Sequence, residues 1–298
     1  MLGHALLALM VITQTDQTVQ VRKGTSLDIS DFAGQVVIKV WERDAVRVEV
    51  QHSDRETVDI RPGDQRLVVR GRSGIGFARP LDYTISVPRW MAIRVTGTNT
   101  DVTMDGVGGD VSVETTRGDI SVSGGSGFVS LKSVQGEIVL QKARGRIDIA
   151  GVSQGIQLAD ISGDVSAETT NGSIVLHRIE SMNVDLYTVN GSISYDGPIK
   201  DKGAYRLTTH NGTIGLAVAD KTNATLSVRT YGGGFRSTFP VKLDDQNGKK
   251  RFTVTLGSGS ARVELESFNG SIALRRPGDP EPEVGERGRV RTRQRLKH

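Results

Sequence analysis

Two kinds of short motif in this 298-residue chain have residue types that could do chemistry at a surface. Asn-Gly-Ser/Thr has the form of a glycosylation acceptor. It occurs four times, starting at Asn171, Asn190, Asn211 and Asn269. Residues 117–119 spell Arg-Gly-Asp, an integrin-type tripeptide. Both motifs are permissive, and both fall on turn positions of a longer repeat, so the sequence favours a structural role for each.

The ionisable residues do not fall into a catalytic or metal-binding pattern. Residues 108–110 and 118–119 match fragments of the Ca²⁺-binding Gly/Asp nonapeptide, but its columns do not persist, and calcium at an isolated loop is the lesser alternative. The acids that could form a carboxylate pair mix with bases, as Glu114 beside Lys132 shows. The five His are scattered and Cys is absent. We therefore predict no catalytic residues, no metal, no cofactor and no enzymatic activity.

Aromatic residues give the only hint of a ligand-binding face. We predict that Tyr187, Tyr195 and Tyr231, with Phe268, lie at or near outward columns of the C-terminal repeats. Exposed aromatic side chains can stack on sugar rings or anchor a protein partner. The alternative is that these residues pack beneath the segment 239–256.

These motifs sit in a repeat that reads apolar-x-apolar-x-small-x-x-Gly-x-apolar-x-apolar, and we call the position of its Gly the slot. The repeat is clearest where Gly occupies the slot, at Gly118, Gly136, Gly172, Gly191, Gly212, Gly233 and Gly270. Thr100 and Gln154 occupy the slot in two weaker copies. The first steps are 18 residues long, and further Gly residues mark a half period. Such a period is typical of a solenoid, in which each unit stacks on its neighbours.

The apolar positions alternate with period two, which predicts short strands with one buried face. Asn-Gly recurs at the bends, where both residues tolerate positive φ. Three residues before the slot stands a Ser, Thr or Gly, and a hydroxyl there can bond to backbone at the bend. We predict an all-β, single-chain, right-handed parallel β-solenoid with rungs of about 18–21 residues. A meander of hairpins is the alternative.

Composition divides the chain into segments. Residues 1–15 resemble a signal peptide, because an apolar run from Ala5 to Ile12 is too short to span a membrane. Residues 16–92 are strand-rich but out of register, which indicates an N-terminal β cap. The solenoid covers 93–274, with an inserted hairpin at about 239–258 between the last rungs. Residues 275–298 carry eight basic and four acidic residues, and predict a disordered tail that holds the formal net charge of +4.

The recurring phrases SVETTRGDISV, SAETTNGSIVL, DLYTVNGSISY, RLTTHNGTIGL and ELESFNGSIAL, preceded by YTISVPRWMAIRV, resemble a bacterial putative-adhesin family of unknown function. The resemblance covers roughly residues 17–274. It implies a β-solenoid of Gly-slotted rungs, export and a place in or near the cell envelope. It supplies no catalytic residues.

We expect an exported, envelope-associated, non-enzymatic scaffold that presents stacked β faces to a polymer or protein partner. The basic tail 275–298 could contact an anionic surface, and no specific nucleic-acid binding is expected. One alternative is a carbohydrate-active β-helix enzyme, either a lyase or a hydrolase. Another is an envelope-stress structural or sensor subunit whose tail contacts membrane lipid.

Overall fold

A computed structural model describes residues 12–53, 56–73, 79–242, 244–245 and 251–279. These residues form strands joined by turns and bends, with no helix. The strands of the N-terminal part are β1 (Ile12–Gln20), β2 (Ser26–Trp41), β3 (Ala45–Ser53), β4 (Glu56–Pro62), β5 (Arg66–Ser73), β6 (Leu81–Pro88) and β7 (Ala92–Val107). The central strands are β8 (Val111–Arg117), β9 (Ile120–Gly124), β10 (Ser126–Gln135), β11 (Ile138–Gln141), β12 (Arg144–Gly151), β13 (Ile156–Asn171), β14 (Ile174–Glu180), β15 (Asn183–Asn190) and β16 (Ile193–Asp196). The C-terminal strands are β17 (Ala204–Asn211), β18 (Ile214–Ala217), β19 (Ala224–Thr230), β20 (Phe235–Ser237), β21 (Asp244–Asp245), β22 (Arg251–Leu256), β23 (Ala261–Ser267) and β24 (Ile272–Arg275).

The strands stack in parallel into two long faces, which confirms the predicted β-solenoid. One face, which we call face A, carries the strand before each slot and runs β5–β2–β7–β8–β10–β12–β13–β15–β17–β23–β19. Face B carries the strand after each slot and runs β6–β2–β7–β9–β11–β13–β14–β16–β18–β24–β20. The longer strands β2, β7 and β13 contribute to both faces. The described residues therefore form eleven rungs.

Alternating side chains of both faces fill one continuous core between them. In the rung of Gly118, Val111 and Val113 of β8 and Ile120 and Val122 of β9 are fully buried. Their intervening neighbours point outward, as period-two strands require. A side chain buried in one rung lies directly above its counterpart in the next, as Val129 does above Val111. The stacking of aliphatic columns removes apolar surface that a single rung would leave in water.

The slot glycines are required by the close approach of the backbone. A Cβ built on Gly191 would lie 2.0 Å from the carbonyl oxygen of Gly172 in the preceding rung. Gly212 and Gly270 face the slots before them in the same way. The expectation that Asn-Gly supplies positive φ at these bends is wrong, because neither Asn nor Gly of any of these four dipeptides has a positive φ.

The small residue three positions before the slot bonds to the backbone, as predicted. Thr188 is fully buried, and its Oγ1 donates to the carbonyl oxygen of Gly172 at 2.9 Å. Thr209 and Ser267 make the same bond to the slots of their own preceding rungs, at 2.8 and 2.9 Å. Each hydroxyl therefore ties one corner to the next rung along the rod.

The N-terminal region is in register with the rod, so its description as an out-of-register cap is wrong. β2 is a complete rung, and it pairs in parallel with β7 from Ser26↔Ala92 to Lys39↔Asp105. β5 and β6 form a further rung on its other side. Among the described strands of this region, β1, β3 and β4 are antiparallel: β3 and β4 cover the outer edges of that terminal rung, and β1 pairs with β3. The periodicity of the sequence did not reveal these rungs because β3 and β4 separate β2 from β5 in the chain.

The last rungs do not follow chain order, which corrects the predicted position of the inserted hairpin. β23 pairs with β17 on one side and with β19 on the other, so the rung of Gly270 lies between the rungs of Gly212 and Gly233. The hairpin of β21 and β22 pairs antiparallel along the outer edge of β19. It therefore covers the end of the rod and does not separate two rungs.

The two predicted terminal segments lie mostly outside the described residues. Residues 1–11 of the predicted signal peptide are among the undescribed ones, and β1 begins at Ile12. The predicted tail begins too early, because Arg275 ends β24 and Nε of Arg276 contacts Oδ1 of Asp220 at 2.7 Å. Residues 280–298 also lie outside the described part, so their disorder and surface contact stay predictions.

Candidate functional site

The four Asn-Gly motifs form one hydrogen-bonded ladder. Nδ2 of Asn190 donates to Oδ1 of Asn171 at 2.8 Å, and Nδ2 of Asn211 donates to Oδ1 of Asn190 at 2.7 Å. Asn269 continues the ladder to Asn211 at 2.9 Å, as the exchanged rung order requires. Stacked amides of this kind stabilise parallel, in-register strands. The ladder supports the structural role that the sequence favours for these motifs.

The Arg-Gly-Asp tripeptide is likewise part of the stacking. Nε of Arg117 donates to Oε1 of Gln135 at 3.1 Å in the next rung. Oδ1 of Asp119 accepts from the backbone N–H of Glu137 at 2.8 Å, and the N–H of Asp119 donates to Oδ1 of Asp101 at 2.9 Å. The three residues therefore hold neighbouring corners together.

The predicted aromatic ligand residues do not share one surface. Tyr195 is fully buried, with 0% of its surface exposed, so its predicted outward position is wrong. It lies in register with Leu176 and Leu216 of the core column, and its ring contacts that of Tyr205 edge-on at 5.8 Å. Tyr187 and Tyr231 are 46% and 45% exposed and lie on face A. Neither is buried beneath the hairpin segment, which was the alternative.

Among the described residues, large exposed apolar side chains align in one column on face A, two residues before each slot. We call this column the apolar ridge. In stacking order its members are Phe32, Thr98, Thr116, Val134, Val152, Thr170, Val189, His210, Phe268 and Tyr231. The largest exposed fractions belong to Phe32 (54%), Phe268 (45%), Tyr231 (45%), Val134 (42%) and Val152 (39%). Nine steps of about 4.8 Å give the ridge a length of about 43 Å. A row of exposed apolar side chains of this length, interrupted by three Thr and one His, is a candidate interaction surface.

A shallow groove of about 640 Å³ runs beside the ridge, and we call it the corner groove. At the rung of Gln154 the groove is lined by Ala150 and Gly151, which are smaller than Lys132 and Ser133 of the rung before. Lys132 and Glu168 stand on either side of Ala150, two rungs apart, and the described contacts join neither to an ion-pair partner. Tyr187 closes the C-terminal end of the groove.

Aromatic rings at the C-terminal end of the ridge stack on each other along the rod. The rings of His210 and Phe268 are nearly parallel, at 6°, with centroids 4.7 Å apart. Tyr231 follows at 5.1 Å with a tilt of 35°. The faces of these rings are therefore turned toward neighbouring rungs, and their edges are turned toward solvent.

Sequence reasoning missed most of this ridge. Phe32 was overlooked because β2, whose slot is Gly34, was not recognised as a rung. Val134 and Val152 were overlooked because the residues two before each slot were not compared across rungs. The residues two before each slot, aligned across the rungs, identify both valines from the sequence alone. The exchanged positions of the rungs at Gly233 and Gly270 could not be read from spacing.

A buried carboxyl near the N-terminal end is the other unusual polar group. Asp31 occupies the corner position that Ser, Thr or Gly holds elsewhere, and it is 9% exposed. It accepts from Oγ1 of Thr100 at 3.2 Å and from the hydroxyl of Tyr83 at 3.5 Å. Burial raises the pKa of Asp31 to about 6, and these hydrogen bonds partly oppose the effect. Burial also raises the pKa of Tyr83, with the charge of Asp31 adding to it.

Neither a metal centre nor a membrane-spanning helix is evident in the part of the chain that the structure describes. No three His, Asp or Glu side chains come close enough to hold a metal ion there. No helix in that part is long and apolar enough to cross a membrane. A second groove of about 470 Å³ on face A mixes charges, since Arg206 lies 3.3 Å from Glu264 and 3.7 Å from Asp185.

Comparison with known proteins gives a family match over nearly the whole chain. The family model described as Toastrack DUF4097 matches residues 9–275. This range includes all of the described strands and the entire apolar ridge. No curated protein matches the chain.

Several crystal structures are similar to this chain at low identity. A "putative adhesin" from Parabacteroides distasonis has 11% identity and a TM-score of 0.38, over 88% of this chain and 97% of that one. A "putative lipid binding protein" from the same species has 12% identity and a TM-score of 0.36, over 88% and 96%. A "putative cell adhesion protein" from Clostridium sporogenes has 7% identity and a TM-score of 0.26, over 89% and 100%. These values do not transfer a function to this chain.

Proposed function

The chain belongs to the Toastrack DUF4097 family, and from that premise we propose that it is an exported, non-enzymatic interaction protein of the cell envelope. The apolar ridge would dock the surface of another protein. The observation that carries this proposal is the alignment of five of the large exposed apolar side chains of the described residues in one column. Burial of such a column on binding is the main source of affinity in protein interfaces.

The ring geometry favours a protein partner over a sugar polymer. A sugar ring stacks on an exposed aromatic face, whereas His210 and Phe268 cover each other's faces. Their outward edges, together with Val134 and Val152, offer contacts that suit apolar side chains. Thr residues between them have nearly the shape of Val and add hydroxyl groups that can bond to polar groups of a partner.

The groups that could have supported catalysis have other roles in the described structure. Asp31, with its raised pKa, is buried against Tyr83 and Thr100 and does not line the corner groove. Glu114 and Glu168 line that groove, but Lys132 lies between their rungs. The arrangement thus supports binding better than carboxylate-pair chemistry.

Site-specific photo-crosslinking in the producing cell tests the proposal. Benzoylphenylalanine placed at Phe268 should form covalent adducts with protein, because the ridge is in contact with a partner. The matched control is the same substitution at Phe128, which is 42% exposed but lies outside the ridge. It should give no comparable adduct.

Val152 is a second ridge position for the same crosslinker. Equal yields of adduct at Phe128 and Phe268, or no adduct at Phe268 and none at Val152, would reject the ridge as a docking surface. Both positions are exposed, so replacement there should leave the fold intact. Circular dichroism of the purified variants would verify this.

Export is the second part of the proposal and rests on the apolar run Ala5–Ile12. The protein recovered from an envelope fraction should begin at about residues 13–16, as measured by intact mass. Recovery of the uncleaved chain from the cytoplasm would reject this part. It would leave the docking role of the ridge to be decided by the crosslinks.

A further inference from the structure

The apolar ridge is nearly self-complementary when its order is reversed. Aromatic residues stand at both ends of the ridge, with Phe32 in the β2 rung and Phe268 and Tyr231 in the last two rungs. Val134 and Val189 are equally distant from the middle, and Val152 and Thr170 are the central pair. A two-fold axis requires one patch to complement itself in this way.

We infer that the partner of the ridge is a second copy of this chain, in an antiparallel arrangement with the two-fold axis between the rungs of Gln154 and Gly172. This inference rests on the proposed docking role of the ridge. In the dimer, Phe32 of one copy lies against Tyr231 of the other, and Val134 lies against Val189. The axis runs along the strand direction, so ridge faces ridge and each neighbouring column faces its own counterpart.

The column four residues before the slot fits the same axis. Lys132 faces the ring of Tyr187 of the second copy, which allows a cation–π contact. Glu168 faces Ala150 of the second copy, in the part of the corner groove that Ala150 and Gly151 line. Glu114 faces Thr208 in the same reversed order. No two like charges of this column face each other directly. The two Glu168 side chains lie one rung step of about 4.8 Å apart across the axis, and Lys132 of the other copy flanks each of them at the same step, which offsets their repulsion.

Two parallel orientations are conceivable. If the two-fold axis ran along the ridge itself, each ridge residue would oppose its own counterpart, and the crosslinking of Phe32→Cys to itself, described below, distinguishes this arrangement. The other parallel orientation is disfavoured by charge. If the two-fold axis ran along the rod between the ridge and the neighbouring column, Val134 would oppose Lys132 of its own rung in the second copy. Phe268 would likewise oppose Glu266. Apolar side chains would then cover charged groups, which is costly on desolvation.

The area of the contact is sufficient for a specific but weak dimer. The ridge is about 43 Å long, and two outward columns span about 13 Å at a strand rise of about 3.3 Å per residue. Each copy therefore contributes about 560 Å², or about 1,100 Å² for the pair, close to the lower limit for specific interfaces. We expect a reversible dimer that dissociates on dilution into the low micromolar range.

Sedimentation equilibrium of the purified full chain is the first test. The apparent mass should rise with concentration from the 32.1 kDa of one chain toward twice that value. Phe268→Ser should raise the dissociation constant at least tenfold, because each substitution removes two contacts in a symmetric dimer. Phe128→Ser is the matched control and should leave it within twofold.

Crosslinking determines the orientation, and the chain is well suited to it because it has no Cys. Single-cysteine variants Phe32→Cys and Tyr231→Cys are purified separately and then treated with a short bis-maleimide, alone or mixed. The mixture should give covalent dimers, whereas each variant alone should give none, since like ends lie about 43 Å apart in the antiparallel dimer.

A chain that remains monomeric at submillimolar concentration would overturn the inference, and so would crosslinking of Phe32→Cys to itself. An unchanged dissociation constant for Phe268→Ser would also overturn it. These results are distinguishable from failure of the proposed function. Photo-adducts at Phe268 with a different protein would retain the docking role while rejecting the second copy as partner.

Discussion

Substitution of Gly191 by Ala should destabilise the rod strongly, although it adds only one methyl group. The new Cβ would lie 2.0 Å from the carbonyl oxygen of Gly172, so the two rungs must separate locally by about 1 Å. Overpacking of this kind costs about 1–3 kcal/mol. The shift also weakens the hydrogen bonds that join these two rungs, from Ile174 N to Ser192 O (2.9 Å) and from Thr188 Oγ1 to Gly172 O (2.9 Å). With about 0.5–1.5 kcal/mol for each weakened bond, we expect the free energy of unfolding to fall by about 2–6 kcal/mol.

Urea unfolding is the assay, with Gly234→Ala as the matched control. Gly234 lies in the neighbouring corner position of the terminal rung, and no atom lies within 4 Å of its built Cβ. At an unhindered site, Ala stabilises by about 0.4–1 kcal/mol because it restricts the unfolded chain. Circular dichroism follows the whole rod, while fluorescence of Trp41 and Trp90 follows its N-terminal end. Coincidence of the two curves establishes that one free energy describes the transition.

Close approach of the backbone is not the reason for Gly at the slot if the free energies of unfolding of Gly191→Ala and Gly234→Ala change by amounts that differ by less than about 1 kcal/mol. Ordinary surface substitutions produce a spread of that size. Gly191→Asn adds an independent check. If Gly were needed for a left-handed backbone conformation, Asn would be tolerated better than Ala. If the oxygen of Gly172 is the obstacle, Asn is at least as destabilising as Ala.

Three further outcomes are expected. The folded-state pKa of Asp31 lies above its ordinary value of 3.8, at about 6, so the stability of the wild type should decline by about 3 kcal/mol relative to Asp31→Asn as pH rises from about 4 to 7. Thermal or urea unfolding across that range measures it, and a pH-independent difference would contradict it. Asn211→Ala removes two ladder bonds and should cost about 1–2 kcal/mol, whereas Asn171→Ala removes one and should cost about half as much. Thr188→Val leaves the carbonyl of Gly172 without its side-chain donor and should cost about 1–2 kcal/mol by the same measurement, and a neutral change would show that this bond does not stabilise the corner.

The regular part of the fold was predictable because its determinants are local and repeated. Alternating residues such as Val111 and Val113 define the buried face, and each small residue before the slot bonds one rung back, as Thr188 does. A single period therefore specifies strand, face and register together. The same regularity identified the Asn-Gly and Arg-Gly-Asp motifs as corner positions.

The two ends of the rod were not predictable from the period, because their partners are distant in sequence. Nothing local to β23 indicates that it enters between β17 and β19, which requires the chain to pass one place and return. The outward position assigned to Tyr195 failed for a different reason. Tyr195 was predicted to point outward because of its size and its polar hydroxyl. Its position in the rung belongs to a buried column, which it shares with Leu176 and Leu216.

Both ends of the rod use the same device. At each end one rung lies between two rungs that are both later, or both earlier, in the chain. At the N-terminal end, β2 lies between the β5–β6 rung and β7, which both follow it in the sequence. Antiparallel strands then cover the outermost rung, β4 and β3 at one end and β22 at the other. A simple stack can lose its terminal unit without disturbing the next, because each unit contacts only its sequence neighbours. Here the rung beneath the terminal one comes from another part of the chain, and it also pairs with the next rung inward, as β23 does with β17 and β2 does with β7. The exchange therefore joins the stability of each end to that of the interior, and it protects the strand edges at which a solenoid would otherwise add further chains.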